Sequence, residues 1–170
     1  MHTITRYHDI SCGHRVVGHE GKCRHLHGHN YRITFFCAPA LEPDESNREE
    51  WMGAAPLVRR KLDDVGRVID FGEIKTRLCQ WLEDNWDHKF LVWQRDGLVA
   101  ELRPAGQPTA VSNLLLNSLV WVPFNPTAEN MAQYLVDVVG PKQLEGTGVA
   151  LIGCKVDETR KCSAQYLRRG

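Results

Sequence analysis

The sequence predicts an α+β fold built on an antiparallel sheet, and three observations predict it. Alternating segments near both ends of the chain read as strands, two helical periods lie between them, and a short polar link near the C-terminus reads as a hairpin turn. Runs of strands set apart from runs of helices favour helices layered on an antiparallel sheet.

Taken in order, residues 3–10 (Thr-Ile-Thr-Arg-Tyr-His-Asp-Ile) form a first strand. Residues 27–37 alternate better: His27, His29, Tyr31, Ile33 and Phe35 share one face, and Asn30, Arg32 and Thr34 the other. Asp70 opens the first helix, with Glu73 three positions on as a capping-box partner. Phe71, Ile74, Leu78, Trp81 and Leu82 give that helix an apolar stripe. Thr127 is the N-cap of the second helix, Ala128, Met131, Leu135 and Val138 its buried face, and Gly140-Pro141 its stop. Residues 149–156 and 162–167 are the last two strands, joined across Thr159-Arg160-Lys161. Residues 38–65, with three prolines and mixed charge, and residues 94–124 read as insertions into this plan of one domain over 1–170.

The composition fits a globular domain of this length: 42% apolar and 25% charged in 170 residues. Twenty-one basic residues balance 21 acidic ones, so neither nucleic-acid binding through bulk positive charge nor a polybasic membrane surface is supported. The longest apolar runs, 114–116 and 119–122, fall far short of the ~20 residues of a membrane span. The first residues carry no apolar signal segment, so the expected location is the cytoplasm. The six scattered cysteines, with no CxxC pair, read as reduced thiols that mostly pack.

Histidine stands out. Seven of eight lie in the first 29 residues. On a strand, His27 and His29 project from one face and can reach one ion, and Gly28 between them permits close approach of backbone or ligand. His14, with twelve residues between it and His27, reaches the same place if the first two strands pair. Three neutral imidazoles leave the fourth position of a tetrahedral zinc open, as in catalytic sites. The bland alternative is hydrogen-bonded surface histidines, which is the reading preferred for His2, His8, His19 and His25. Cys23, between Lys22 and Arg24, suits a base or nucleophile beside a dication, or a ligand of it. Cys12 is a lesser candidate whose expected fate is burial. In Asp87-His88 a carboxylate can orient an imidazole, and Glu158 at a strand end can grip a guanidine-like edge through two hydrogen bonds. Arg15, Lys22 and Arg24 are candidate phosphate holders.

Six segments in order carry a resemblance: Ser11-Cys12-Gly13-His14-Arg15, Cys23-Arg24-His25-Leu26-His27-Gly28-His29-Asn30-Tyr31, Val68-Ile69-Asp70-Phe71-Gly72-Glu73-Ile74-Lys75, Asp87-His88-Lys89-Phe90-Leu91, Pro126-Thr127-Ala128-Glu129-Asn130 and Val156-Asp157-Glu158-Thr159. Together they resemble the 6-pyruvoyltetrahydropterin synthase / 6-carboxytetrahydropterin synthase (QueD) family. The resemblance implies the tunnelling fold (T-fold), a four-stranded antiparallel sheet with two helices on one face, forming an oligomeric barrel. Its homohexamers are dimers of trimers, with active sites between subunits. It implies His14, His27 and His29 as zinc ligands, Cys23 with Asp87 and His88 as the proton-handling group, Glu158 as the pterin anchor and Thr127 as its assistant. Three residues separate Cys23 from His27, as in the carboxy branch; the pyruvoyl branch has a longer gap and the folate-linked branch has Glu in place of Cys. Ile10, Cys12-Gly13 and Val92 depart from the family pattern. The implied reaction turns 7,8-dihydroneopterin triphosphate into 6-carboxytetrahydropterin, acetaldehyde and triphosphate, feeding queuosine precursors. Rivals are triphosphate elimination alone, giving 6-pyruvoyltetrahydropterin, and a non-catalytic zinc-stabilised interaction module.

Overall fold

The computed structural model describes residues 2–43, 57–59, 61–100 and 110–168. Strands β1 (Ile4–His14) and β2 (His27–Pro39) form the long central hairpin. β3 (Leu41–Pro43) and β4 (Leu57–Arg59) pair as a separate two-stranded ladder inside the first insertion. Helix α1 runs over residues 71–85 and β5 covers Phe90–Trp93. The second insertion supplies α2 (Gly97–Ala100), α3 (Ala110–Ser118) and β6 (Leu119–Val122). Helix α4 (residues 128–143), β7 (Val149–Asp157) and β8 (Ser163–Leu167) complete the chain. The remainder of both insertions, 44–56, 60 and 101–109, lies outside the described residues.

The main sheet has six strands in the order β6-β5-β1-β2-β7-β8. Its β1-β2-β7-β8 part is the antiparallel quartet expected from the sequence. The four-strand expectation is corrected by β5 and β6, which extend the β1 edge in parallel pairing, beginning at Gly13 opposite Phe90. Sequence alternation could not show them. Phe90-Leu91-Val92-Trp93 is continuously apolar, as buried parallel strands are.

Alternation in the central hairpin sorts the two faces. Ile10, Cys12, Ile33, Phe35, Cys154 and Val156 point into the core, where α1 and α4 place Ile74, Leu78, Leu82, Met131, Leu135 and Val136. Each large apolar side chain buried there contributes about 1.5–3 kcal/mol. Trp86, just after α1, stacks on Tyr134 of α4 at 6.2 Å and so ties the helices together. The opposite sheet face carries Tyr7, Asp9, Asn30 and Arg32, with Arg32 bonded to Asp9 at 2.8 and 2.9 Å and lying over the Tyr7 ring.

Both helix starts match expectation, and parts of both helices differ. The Asp70 carboxylate accepts from Gly72 N at 2.6 Å, but Glu73 turns to Arg77 at 2.9 Å instead of closing a capping box. Phe71 is 54% exposed and lies off the buried stripe. The Thr127 hydroxyl caps α4 by accepting from Asn130 N. That helix does not stop at Gly140-Pro141 but continues to Gln143, through a π-helical turn over Leu135–Val139. Gly140 answers to packing: a Cβ there would lie 2.7 Å from the Leu151 side chain of β7. All six cysteines are free thiols. Among the described residues no helix is long and apolar enough to cross a membrane.

Candidate active site and metal centre

The ladder itself gathers the three histidines. His14 ends β1 directly opposite His27, the first residue of β2, and cross-strand partners on one face bring their Cβ atoms within about 5.5 Å. His29, two residues along the same face, is the third corner. Ring centroids lie 4.5 Å (His14–His27), 5.3 Å (His14–His29) and 5.0 Å (His27–His29) apart. One ligand atom from each lies within 4.8 Å of the others, so the group could hold a metal ion. Gly28, between His27 and His29, is where the Cys12 carbonyl approaches: a Cβ there would lie 3.0 Å from it.

The donor chemistry fits zinc. His14 Nδ1 donates to the Pro126 carbonyl at 2.6 Å and His27 Nδ1 to the His25 carbonyl at 2.8 Å. A carbonyl can only accept, so both Nδ1 atoms carry hydrogen and both Nε2 atoms present lone pairs. The Nε2 atoms of His14, His27 and His29 are all buried without a hydrogen-bond partner, a costly state that a shared cation would relieve. Burial holds the His14 and His29 imidazoles below their usual range, keeping them neutral and able to ligate. Tyr31 stands behind them, edge-on at 5.7 and 5.5 Å. Burial, with the nearby charges of Cys12 and Glu158, pushes its phenol well above the ordinary value. Tyr31 was legible as the next residue on the histidine face; its closeness to the trio was not.

A pH dependence follows from the two lowered imidazoles. In metal-free protein, as pH falls below about 6.5, the unfolded chain takes up protons that the folded chain refuses. Stability is therefore full above that value and declines on acidification. Urea midpoints at about pH 8 and about pH 5.5 check it, and equal midpoints contradict it.

Cys23 sits on the Lys22–Arg24 turn, where its carbonyl accepts from Val16 N at 2.8 Å. Its thiol is not part of the metal-binding group. Cys23, Thr127 and Glu158 line one cavity of about 250 Å³, together with His19 and Cys162. Glu158 leaves the end of β7, and its Oε1 lies 3.4 Å from His14 Nε2 and 3.7 Å from His29 Nε2. Cys12 is buried, and its thiol is pushed up to about 12 by burial and by the Asp87 charge.

Asp87 and His88 do not line the cavity of Cys23, although His88 borders a hollow together with Gly28 and His29. The pair borders a larger hollow of about 790 Å³ on the sheet face away from the core, with Asp9, Asn30 and Arg32. Asp87 accepts from Ser11 N at 2.8 Å and from His88 Nδ1 at 2.7 Å. Burial works against its charge, but those hydrogen bonds outweigh it and hold the carboxyl below the ordinary range. His88 is the one non-glycine described residue with positive φ, at 54°, and its side chain is 82% exposed. Positive φ is uncommon outside glycine, and histidine is among the residues that adopt it more readily. Within one chain, then, the orienting pair works but does not share the cavity of Cys23.

Arg15 is committed to structure. Its Nε lies 2.7 Å from the buried Asp96 carboxylate, and its NH1 group donates to the Arg24 carbonyl at 3.1 Å. Asp96, in the second insertion, carried no sequence signal. The pair braces the loop that bears Cys23, while Lys22 and Arg24 stay exposed. Asp96→Asn is expected to lower stability by about 1–3 kcal/mol, read from urea unfolding. His8 pairs with Glu83, 75 residues along the chain, and His19 Nδ1 accepts locally from Gly21 N.

Comparison with known proteins places this geometry. The chain is 31% identical over 162 residues to the 6-carboxy-5,6,7,8-tetrahydropterin synthase of Rickettsia felis, covering 95% of this chain and 97% of that one. The Haemophilus influenzae protein of the same name is 26% identical over 136 residues, 79% of each chain. An uncharacterized Wolinella succinogenes protein shares the fold with a TM-score of 0.73 at 20% identity, covering 99% of this chain and 98% of that one. The Plasmodium vivax 6-pyruvoyltetrahydropterin synthase follows at 0.59 and 16%, covering 99% of both. The sequence profile described as 6-pyruvoyl tetrahydropterin synthase matches residues 3–169. With that profile spanning nearly the whole chain, and relatives matched end to end, the chain belongs to the 6-pyruvoyl tetrahydropterin synthase family.

Proposed function

We propose that this protein is a zinc-dependent 6-carboxy-5,6,7,8-tetrahydropterin synthase, a carbon–carbon lyase that converts 7,8-dihydroneopterin triphosphate to 6-carboxytetrahydropterin, acetaldehyde and triphosphate. The observation that carries the reading is the set of three buried, unpartnered Nε2 atoms converging beside a cavity that holds Cys23 and Glu158. The name carried by the Rickettsia and Haemophilus relatives supports the branch, as does the three-residue spacing from Cys23 to His27.

The chemistry divides among the residues. A divalent ion held by His14, His27 and His29 supplies Lewis-acid polarisation of the substrate's side-chain oxygens. Cys23 removes and returns protons at the side-chain carbons. Glu158 grips the amino-pyrimidine edge of the pterin through two hydrogen bonds, with Thr127 beside it. Asp87 fixes the His88 tautomer by accepting from Nδ1, which leaves Nε2 facing outward as a proton acceptor. Because this pair does not line the cavity of its own Cys23, it serves the site of a neighbouring subunit in a homohexamer, a dimer of trimers. Lys22 and Arg24, exposed beside Cys23, hold the triphosphate. The protein works in the cytoplasm as a single domain over 1–170.

Incubating the zinc-loaded protein with 7,8-dihydroneopterin triphosphate and identifying every product tests the proposal. Acetaldehyde with 6-carboxytetrahydropterin is the expected result. Accumulation of 6-pyruvoyltetrahydropterin would move the protein to the sister activity. Zinc-dependent folding without turnover of any pterin would leave an interaction module.

A further inference from the structure

The position of Glu158 carries an inference that rests on the metal site proposed above and goes past the anchoring role. His14 Nδ1 donates to the Pro126 carbonyl, so His14 Nε2 holds a lone pair. A carboxylate oxygen, Glu158 Oε1, faces that lone pair at 3.4 Å and the His29 Nε2 at 3.7 Å. Two acceptors in a buried place repel one another unless positive charge lies between them. The separations are informative. Ligand bonds of 2.0–2.2 Å around a tetrahedral zinc put neighbouring donor atoms about 3.3–3.5 Å apart. Glu158 Oε1 is therefore at the spacing of a coordinating atom from His14 and a few tenths of an ångström beyond it from His29.

Its tether allows it to leave. Glu158 N donates to the Cys162 carbonyl in the β7–β8 turn, which fixes the backbone, while the side chain is 25% exposed and borders the cavity shared with Cys23 and Thr127. Glu158 also stands outside the tight group of three histidines, reaching His14 and His29. We infer that Glu158 is a fourth, exchangeable ligand of the same ion: its carboxylate occupies the remaining coordination position until a pterin ring draws it away. Access to the ion is then coupled to ring recognition. A polyol phosphate without the amino-pyrimidine edge offers Glu158 no hydrogen-bond donors and leaves the position closed, which makes Glu158 a specificity-determining residue as well as an anchor.

Cobalt(II)-loaded protein provides the test, because its visible bands report the donor set without turnover. The Glu158→Gln protein is expected to show shifted bands and to lose cobalt to a chelator about tenfold faster or more. Adding 2-amino-4-oxopteridine, the ring without a side chain, should move the wild-type bands to those of the variant and leave the variant unchanged. Identical bands and retention in both proteins would overturn the inference while leaving the histidine site standing. A wild type indifferent to the ring would overturn the exchange, and this arm needs no variant. Failure of the wild type to take up either cobalt or zinc would instead remove the metal site itself.

Discussion

The Cys23→Ala protein retains its metal and loses turnover by about 10²–10⁴-fold, the range supplied by a positioned proton-transfer group. Two features separate these effects. The Cys23 thiol stands outside the group of three imidazoles, so its removal takes no donor from the ion. It nonetheless lines the cavity that Glu158 and Thr127 share, where substrate carbons would lie. The thiol is half-buried on a short turn, and alanine there leaves the Val16–Cys23 backbone hydrogen bond in place, so folding is preserved. Product release with dihydroneopterin triphosphate and metal content, measured on the same sample, check both halves. Loss of the metal along with activity would make Cys23 a ligand; full activity would remove it from the proton chemistry.

The His14→Ala protein loses both metal and turnover. His14 is fully buried and is the corner on which the other two rings converge, at centroid distances of 4.5 and 5.3 Å. Its Nδ1 bond to Pro126 couples the ion to the segment that caps α4, so removal also frees the Pro126 carbonyl and opens a void beside Tyr31. Deleting His14 removes the imidazole at the centre of the group and the one nearest Glu158, at 3.4 Å, so the two remaining rings and an exchangeable carboxylate lose zinc on dialysis against a chelator. Far-UV circular dichroism should be retained, because the core between sheet and helices lies further along the strands. A variant that keeps one metal ion per chain would place the ion elsewhere.

Legibility followed periodicity. The central hairpin and the C-terminal hairpin could be read because one residue in two meets the core, and that same parity put His27, His29 and Tyr31 on one face. β5 and β6 escaped because continuous apolar runs carry no period. Gly140-Pro141 read as a stop, since the close approach of Leu151 that selects glycine there exists only in the packed state. The histidine trio was legible for a physical reason: ligands that share a strand face must sit two apart. The approach of Glu158 to His14 and His29, and the role of Asp96, were not, because a carboxylate at a strand end or in an insertion shows no partner until tertiary structure gives it a neighbour. That Asp87–His88 and Cys23 border different cavities was also hidden, since spacing along the sequence does not say where the fold places a side chain.

Metal analysis of the native, untagged protein bears most directly on the central claim. The convergence of His14, His27 and His29 predicts one zinc per chain as purified, removable by chelation and restored by zinc in equal stoichiometry. Protein that purifies without zinc, and takes up none when it is supplied, would contradict it.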